Sequence, residues 1–328
     1  MALTQSIGVL TAENKTYYES RLLDRALPRL VHARWGQTRP IPTKEGSTVD
    51  FRKYGALTAV TSALTEGVTP DPESVTVTSA TATLAWYGSF IRYTDQLDLI
   101  GIDDSLMEFS DMLGEQAGDS IDQLVRDVLA AGAGSTRYAN GAANRAALAS
   151  TDILDNAEII RAVATLHTNK ARPFEDGYFI AVISPNTWAD LMQDPAIVNA
   201  FLYAGDKGEQ NPLYRGELGT YMGVRWFLSQ NAKTYTGSAC TTVEATLFMG
   251  RDAYGICGLA GYEPDYNQEG GTGNAPSPVD LIVKDVGSAG TEDPLNQRGT
   301  VGWKAPHVAT VLQSTWLLKV EHGSTIGG

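Results

Sequence analysis

Between Ser74 and Thr94, β-branched and aromatic residues recur without a proline, and Gly88 is the one breaker. Val75, Val77, Thr81, Thr83, Trp86, Tyr87, Phe90, Ile91 and Tyr93 carry the pattern, which predicts a very long strand. Fully extended, that run spans roughly 70 Å. A compact globule of this length is only about 50 Å across. The strand therefore breaks, with Gly88 the expected point, or it projects from the body. A projecting strand cannot bury both faces in its own subunit, so the pattern anticipates cover from neighbouring copies.

Ser47 to Leu57 reads as a partner strand, with Val49, Phe51 and Tyr54 toward one side. Ala59 to Glu73 contains Gly67, Pro70 and Pro72 and reads as the loop joining the two strands. Loops of that length are uncommon and usually functional. The result is an extended hairpin with a broad tip. An isolated two-stranded ribbon is marginal in water, and its edges invite pairing with other chains.

A long helix follows. Leu106, Phe109, Leu113, Ala117, Ile121, Leu124 and Val128 recur at three and four residues and predict a helix from Asp104 to Ala131. At 1.5 Å per residue it is about 42 Å long. Ser105 and Glu108 have capping-box spacing, and Gly132 and Gly134 supply a stop. Asp111, Glu115, Asp119, Asp122 and Asp127 take the other face. Interior Gly114 and Gly118 weaken a coiled coil, so one face should pack on a sheet. Ahead of the hairpin, Ala12 to Ala33 reads as a helix with Tyr18, Leu22, Ala26 and Leu30 on one face, kinked at Pro28. Arg21, Arg25 and Arg29 share a stripe. It is either a solvated face or a contact with something acidic, a neighbouring subunit or packaged nucleic acid.

The remainder mixes helices and strands. Ser135 to Ala149 reads as a loop, Asp155 to His167 as a helix and Tyr178 to Ile183 as a buried strand. Ser184-Pro185 opens a helix, and Pro195 to Tyr203 forms another. Val224, Trp226 and Leu228 alternate as a strand, as do Thr246 and Phe248. Arg251 to Ile256 suggests a helical turn and Glu263 to Pro278 a loop. Val279 to Asp285 and a long Val308 to Val320 complete the strands. Without regular strand–helix alternation the class is α+β.

Composition narrows the function. The 328 residues carry a formal net charge of −13, which disfavours sequence-specific nucleic-acid binding and leaves room only for a local basic patch. Cys240 and Cys257 suit a buried, reduced pair and have no metal-ligand spacing. No apolar run approaches the roughly 20 residues a bilayer span needs, and Met1 to Leu10 has no signal-peptide pattern. These features favour a soluble protein made in a cytoplasm. His32, His167, His307 and His322 are scattered, and the zinc, phosphate-loop and nucleophile-elbow motifs are missing. No catalytic, cofactor-binding or metal-binding residue is assigned.

Several segments carry a family likeness. Tyr17-Tyr18-Glu19-Ser20-Arg21-Leu22-Leu23 through Ala26-Leu27-Pro28-Arg29-Leu30 is one. Gly46-Ser47-Thr48-Val49-Asp50-Phe51 leading to Glu66-Gly67-Val68-Thr69-Pro70 is another, and Gly216-Glu217-Leu218-Gly219-Thr220-Tyr221-Met222-Gly223-Val224 a third. With the order of parts, they resemble the major capsid protein of tailed double-stranded DNA bacteriophages, the Hong Kong 97 type of fold, in the subfamily typified by phage N4. The resemblance implies an N-arm over 1–35, an extended E-loop over 36–95 and a P-domain with its spine helix over 96–150. An A-domain with mixed sheet and flanking helices over 151–262, a P-domain return over 263–307 and a final A-domain strand over 308–328 follow.

By the same resemblance, the chain is a structural subunit that self-assembles as pentamers and hexamers into an icosahedral shell around double-stranded DNA, in the host cytoplasm. Tyr18, Leu22, Arg25, Phe51, Lys53, Tyr54, Val75, Val77 and Trp86 are the expected inter-subunit contacts. Arg21, Arg25 and Arg29 are candidates for an acidic partner or the genome. Some members join subunits through an isopeptide bond; Lys44 and Lys53 lie in the hairpin, but no acceptor is identified. The chain reaches its arm almost at once, so a separate scaffolding protein is expected, with a portal and a possible decoration protein. The alternatives are an encapsulin-like compartment and a soluble enzyme of unfamiliar fold.

Overall fold

The computed structural model describes residues 22, 25–26, 29–42, 44, 46–55, 57–100, 105–203, 219–258, 279–288 and 292–326. Most of the expected arm helix, with Pro28, Tyr18 and Arg21, lies outside them, as does the loop expected over 263–278.

β2 (Thr48–Tyr54) and β3 (Val77–Thr83) form the hairpin, in antiparallel register from Thr48 opposite Thr83 to Tyr54 opposite Val77. The Leu84 amide donates to Ser47 O at 2.8 Å and closes that ladder. The long strand breaks here and not at Gly88. Its second half is β4 (Ala85–Thr94), which pairs antiparallel with β13 (Arg298–Val311) from Thr94 opposite Arg298 to Ala85 opposite His307. Gly88 sits inside β4, where a Cβ would come within 2.6 Å of Trp303 O. The glycine permits a close approach between strands and does not punctuate them.

β13 is the centre of a five-stranded sheet. It also pairs with β12 (Asp280–Lys284) and, through its last four residues, with β11 (Tyr254–Cys257), which carries β1 (Gln37–Thr38) on its far edge. A seven-stranded sheet runs β5 (Ser135–Tyr138), β14 (Leu317–His322), β10 (Val243–Met249), β6 (Phe179–Ile183), β8 (Val224–Leu228) and β7 (Thr220–Tyr221), with β9 (Lys233–Tyr235) on β10. The expected single strand over Val308 to Val320 is therefore two strands in different sheets. The short turn at Ser314–Trp316 separates them, and Gly134 N donates to Ser314 O there at 2.9 Å. Two other sequence expectations change. Arg251 and Asp252 form a turn that enters β11, not a helical turn, and the segment after Gly134 contributes β5 and two short 3-10 turns.

Both faces of the seven-stranded sheet are covered, which explains why β6 reads as a continuous apolar run; β10, expected from Thr246 and Phe248 to alternate, is buried along its whole length as well. On one face Phe179, Ala181, Ile183, Phe248, Leu318 and Val320 pack under α3 (Asn156–Thr168), α4 (Pro185–Leu191) and α5 (Pro195–Tyr203). Asp155 caps α3 by accepting from Glu158 N at 2.8 Å, and Ser184 caps α4 by accepting from Thr187 N at 3.1 Å, with Pro185 in the first turn.

On the other face, Ile180, Val182, Leu247 and Met249 meet the long helix α2 (Ser105–Gly132), which follows the short α1 (Asp95–Ile100). The fully enclosed ladder on α2 is Leu113, Ala117, Ile121, Val125 and Leu129. It lies across β13 as well, so one helix ties the two sheets together. Leu124 and Val128, expected on that face, are half-buried because the contact follows a straight row of four-residue steps. At the end of β14, Glu321 is fully buried and forked by Arg145 at 2.7 Å to each oxygen, with Lys319 at 2.9 Å. Burial alone would raise its carboxyl; the hydrogen bonds from Arg145 and Lys319 outweigh that and hold it below the ordinary range.

Candidate inter-subunit surfaces

The acidic face of α2 is not open to solvent along its length. Arg25 stands 3.6 Å from Asp111 and 3.8 Å from Glu115. Arg29 donates to Glu115 at 3.0 Å and to Asp119 at 2.7 Å. One step further, Asp122 accepts the His32 backbone N–H at 2.7 Å and sits 2.8 Å from its ring Nδ1. The Tyr254 hydroxyl donates to the His32 carbonyl. The acidic partner of Arg25 and Arg29 is thus the chain's own helix. Of the three expected arginines, Arg21 is outside the described residues.

The close fit of the arm depends on the two glycines that counted against α2. A Cβ on Gly114 would come within 2.5 Å of Leu22 O, and one on Gly118 within 2.6 Å of Ala26 O. The absent side chains let two backbones touch, at a helix-propensity cost of roughly 1 kcal/mol each. Leu22 is consequently fully buried on its own α2. Its expected role as an inter-subunit contact is corrected: the amphipathic pattern was right, and the surface it meets lies in the same subunit.

Phe51 is corrected for the same reason. It is 5% exposed, and its ring fills the space above Gly255, where a Cβ would meet Phe51 Cζ at 2.7 Å. The ring pins the hairpin to β11. Phe51→Ala is expected to free β2 and β3 locally, a loss of about 3 kcal/mol for a buried phenylalanine. Hydrogen exchange on the unassembled subunit reads this as faster exchange in β2 and β3 with α3 to α5 unchanged. Unchanged exchange in the hairpin would show that the ring is not its anchor.

The other hairpin positions stand open. Tyr54 is 69% exposed, and Lys53, Val75 and Val77 are exposed too. So are Leu57, at the end of the expected strand, and Val60, Leu64 and Val68, in the expected loop, none of which is among the expected contacts. Every residue from 57 to 79 is exposed. A run of this kind with apolar members is what a partner covers. Trp86 is half-exposed on the outer face of β4, with Lys304 Nζ 4.3 Å from its ring centroid. Phe90 and Ile282 extend that apolar strip across β4 and β12. The period-two alternation of Trp86, Gly88 and Phe90 was the signal that could have assigned them one face.

No helix among the described residues is long and apolar enough to cross a membrane, and no metal-ligating cluster occurs among them. No curated protein matches the sequence. Solved structures do match it in fold. The capsid of Ralstonia phage GP4 is 15% identical at a TM-score of 0.66, covering 89% of this chain and 90% of its own. The cyanophage Pam1 capsid is 15% identical at 0.64, covering 86% of each. The capsid of cyanophage P-SCSP1u is 16% identical at 0.62, covering 88% and 87%. The fold is the Hong Kong 97 type expected above, in an α+β chain. A model of the family described as phage capsid protein matches residues 77–320. The chain belongs to that family: it is a structural head-shell protein and not an enzyme, and it self-associates into the capsid of the virion.

Proposed function

We propose that the chain is the repeating subunit of an icosahedral shell, gathering as pentamers and hexamers around the double-stranded DNA genome of a tailed bacteriophage. The observation that carries this is the hairpin tip, where Leu57, Val60, Leu64 and Val68 find no shelter on their own subunit. Many modest interfaces of this kind, multiplied by symmetry, give a stable container. The long helix α2, cross-braced by Arg25, Arg29 and His32, suits the stiff spine of a shell wall. The family match favours a phage shell over an encapsulin-like compartment.

In this reading 1–35 is the N-arm, 36–95 the E-loop, 96–150 and 263–307 the P-domain, and 151–262 with 308–328 the A-domain. Strand β13 runs unbroken across residue 307, so that last boundary falls inside a strand. Lys53, Tyr54, Val75, Val77 and Trp86 are the inter-subunit contacts, joined by the apolar tip. Assembly takes place in the bacterial host cytoplasm with a separate scaffolding protein and a portal.

Expression of the chain followed by sedimentation and negative-stain microscopy tests this. Capsomers or closed particles are expected. A stable small oligomer, alone and with the phage's scaffolding protein, would overturn the reading.

A further inference from the structure

A groove of about 870 Å³ runs between the hairpin and the body. One wall is Arg52, Lys53, Tyr54 and Thr78 to Ala80 of the hairpin. The other includes Arg39, Lys170, Arg172, Leu312 and Trp316. Five cations therefore line one groove in a chain of net charge −13. All five are exposed, and among the described residues none has a carboxylate within ion-pair distance. The one acid in the lining, Asp252, lies 3.9 Å from Arg251. Like charges on facing walls repel, so an anion between them is favoured.

The chain itself contains a matching anion. Between Lys53 and Arg92 there is no lysine or arginine, and the carboxylates there are Glu66, Asp71 and Glu73. They lie among exposed Leu64, Val68 and Val75, and the groove offers Tyr54, Leu312 and Trp316 among its cations. Pro70 and Pro72 hold this stretch extended, which lowers the entropy lost on docking. The loop does not occupy its own groove, since residues 57 to 76 are exposed throughout.

We propose that the groove receives the acidic hairpin tip of a second copy, with Glu66, Asp71 and Glu73 among Arg39, Arg52, Lys53, Lys170 and Arg172. This rests on the reading of the chain as a shell subunit and names where the tip lands. Tip and groove are different surfaces, so the contact is head-to-tail and propagates into rings. Nucleic acid fits less well. The overall charge repels a polyphosphate, and a phosphate backbone has no apolar residues to cover Leu312.

The test uses a labelled peptide of residues 57–76 titrated into wild-type subunits kept unassembled. Binding is expected by fluorescence anisotropy, weakening at least about ten-fold as salt screens the contact. It should vanish for the peptide with Glu66→Gln, Asp71→Asn and Glu73→Gln, and for subunits with Arg52→Glu, Lys53→Glu and Arg172→Glu. In the full chain, reversing either set alone should abolish particles, and reversing both together should restore them. All of these side chains are exposed, so matched thermal melts show that the variants are folded. A peptide that does not bind, or that binds equally when neutralised, overturns the proposal. So do reversed variants that assemble like wild type, and a single-stranded DNA oligonucleotide that displaces the peptide while groove variants still form shells. Particle formation by the wild type is scored separately, so a failed groove and a failed shell reading are told apart.

Discussion

Replacing Asp122 with leucine is expected to destabilise the unassembled subunit by about 2–5 kcal/mol. Its carboxylate serves two groups at once, the His32 backbone N–H at 2.7 Å and ring Nδ1 at 2.8 Å. Both residues are at most 1% exposed, so water cannot replace the lost acceptor. Each orphaned buried polar group costs about 1–3 kcal/mol, and leucine orphans two. Asp122→Asn retains an acceptor for the backbone N–H and should cost about half as much. A urea titration at constant slope measures both variants. The effect should also be directional: the arm, no longer held on α2, becomes open to trypsin at Arg25 and Arg29 before the body unfolds. A leucine variant with an unchanged midpoint and a protected arm would show that the contacts at Gly114 and Gly118 hold the arm without the His32–Asp122 pair.

That arm also shows where sequence reasoning stops. The stripe of Leu22, Ala26 and Leu30 identifies a buried face, but amphipathicity carries no record of which molecule covers it. The same holds for Phe51. The two glycines of α2 are legible as a propensity cost; their benefit lies about 90 residues away in the carbonyls of Leu22 and Ala26 and has no local signal. The acids of α2 and the arginines that meet them are equally far apart in sequence, so neither set points to the other. Leu84 as the break in the long strand is of the same kind. β4 leaves the hairpin to pair with β13 more than 200 residues later, and nothing local at Leu84 announces it. The features with local causes were readable: the helix start at Asp155, the cap at Ser184, the glycine stop at the end of α2, and the two-sided burial of β6. The exposed hairpin was readable because a ribbon with apolar residues on both sides has no single-chain solution.

The second large effect is on acid stability. Burial pushes both His307 and His322 down to about 4, from an ordinary value near 6.5. His322 is held neutral in a defined way: Nδ1 is 2.8 Å from the Gly323 carbonyl, which can only accept, so Nδ1 bears the proton and Nε2 accepts from the Thr246 hydroxyl at 3.0 Å. As pH falls through 6.5 the unfolded chain binds a proton at each histidine and the folded chain does not. Stability is therefore complete above pH 6.5 and drains away between 6.5 and about 4. A shift of that size amounts to about 3 kcal/mol per histidine. Together the two give a slope approaching about 2.7 kcal/mol per pH unit in the middle of the window. Urea midpoints of the unassembled subunit at pH 7, 6, 5 and 4 read this directly. His307→Gln and His322→Gln each cost stability at pH 7, but each should flatten the slope by half whatever its starting point. A double variant that keeps the wild-type slope between pH 6.5 and 4 would show that neither histidine is the source of the acid sensitivity.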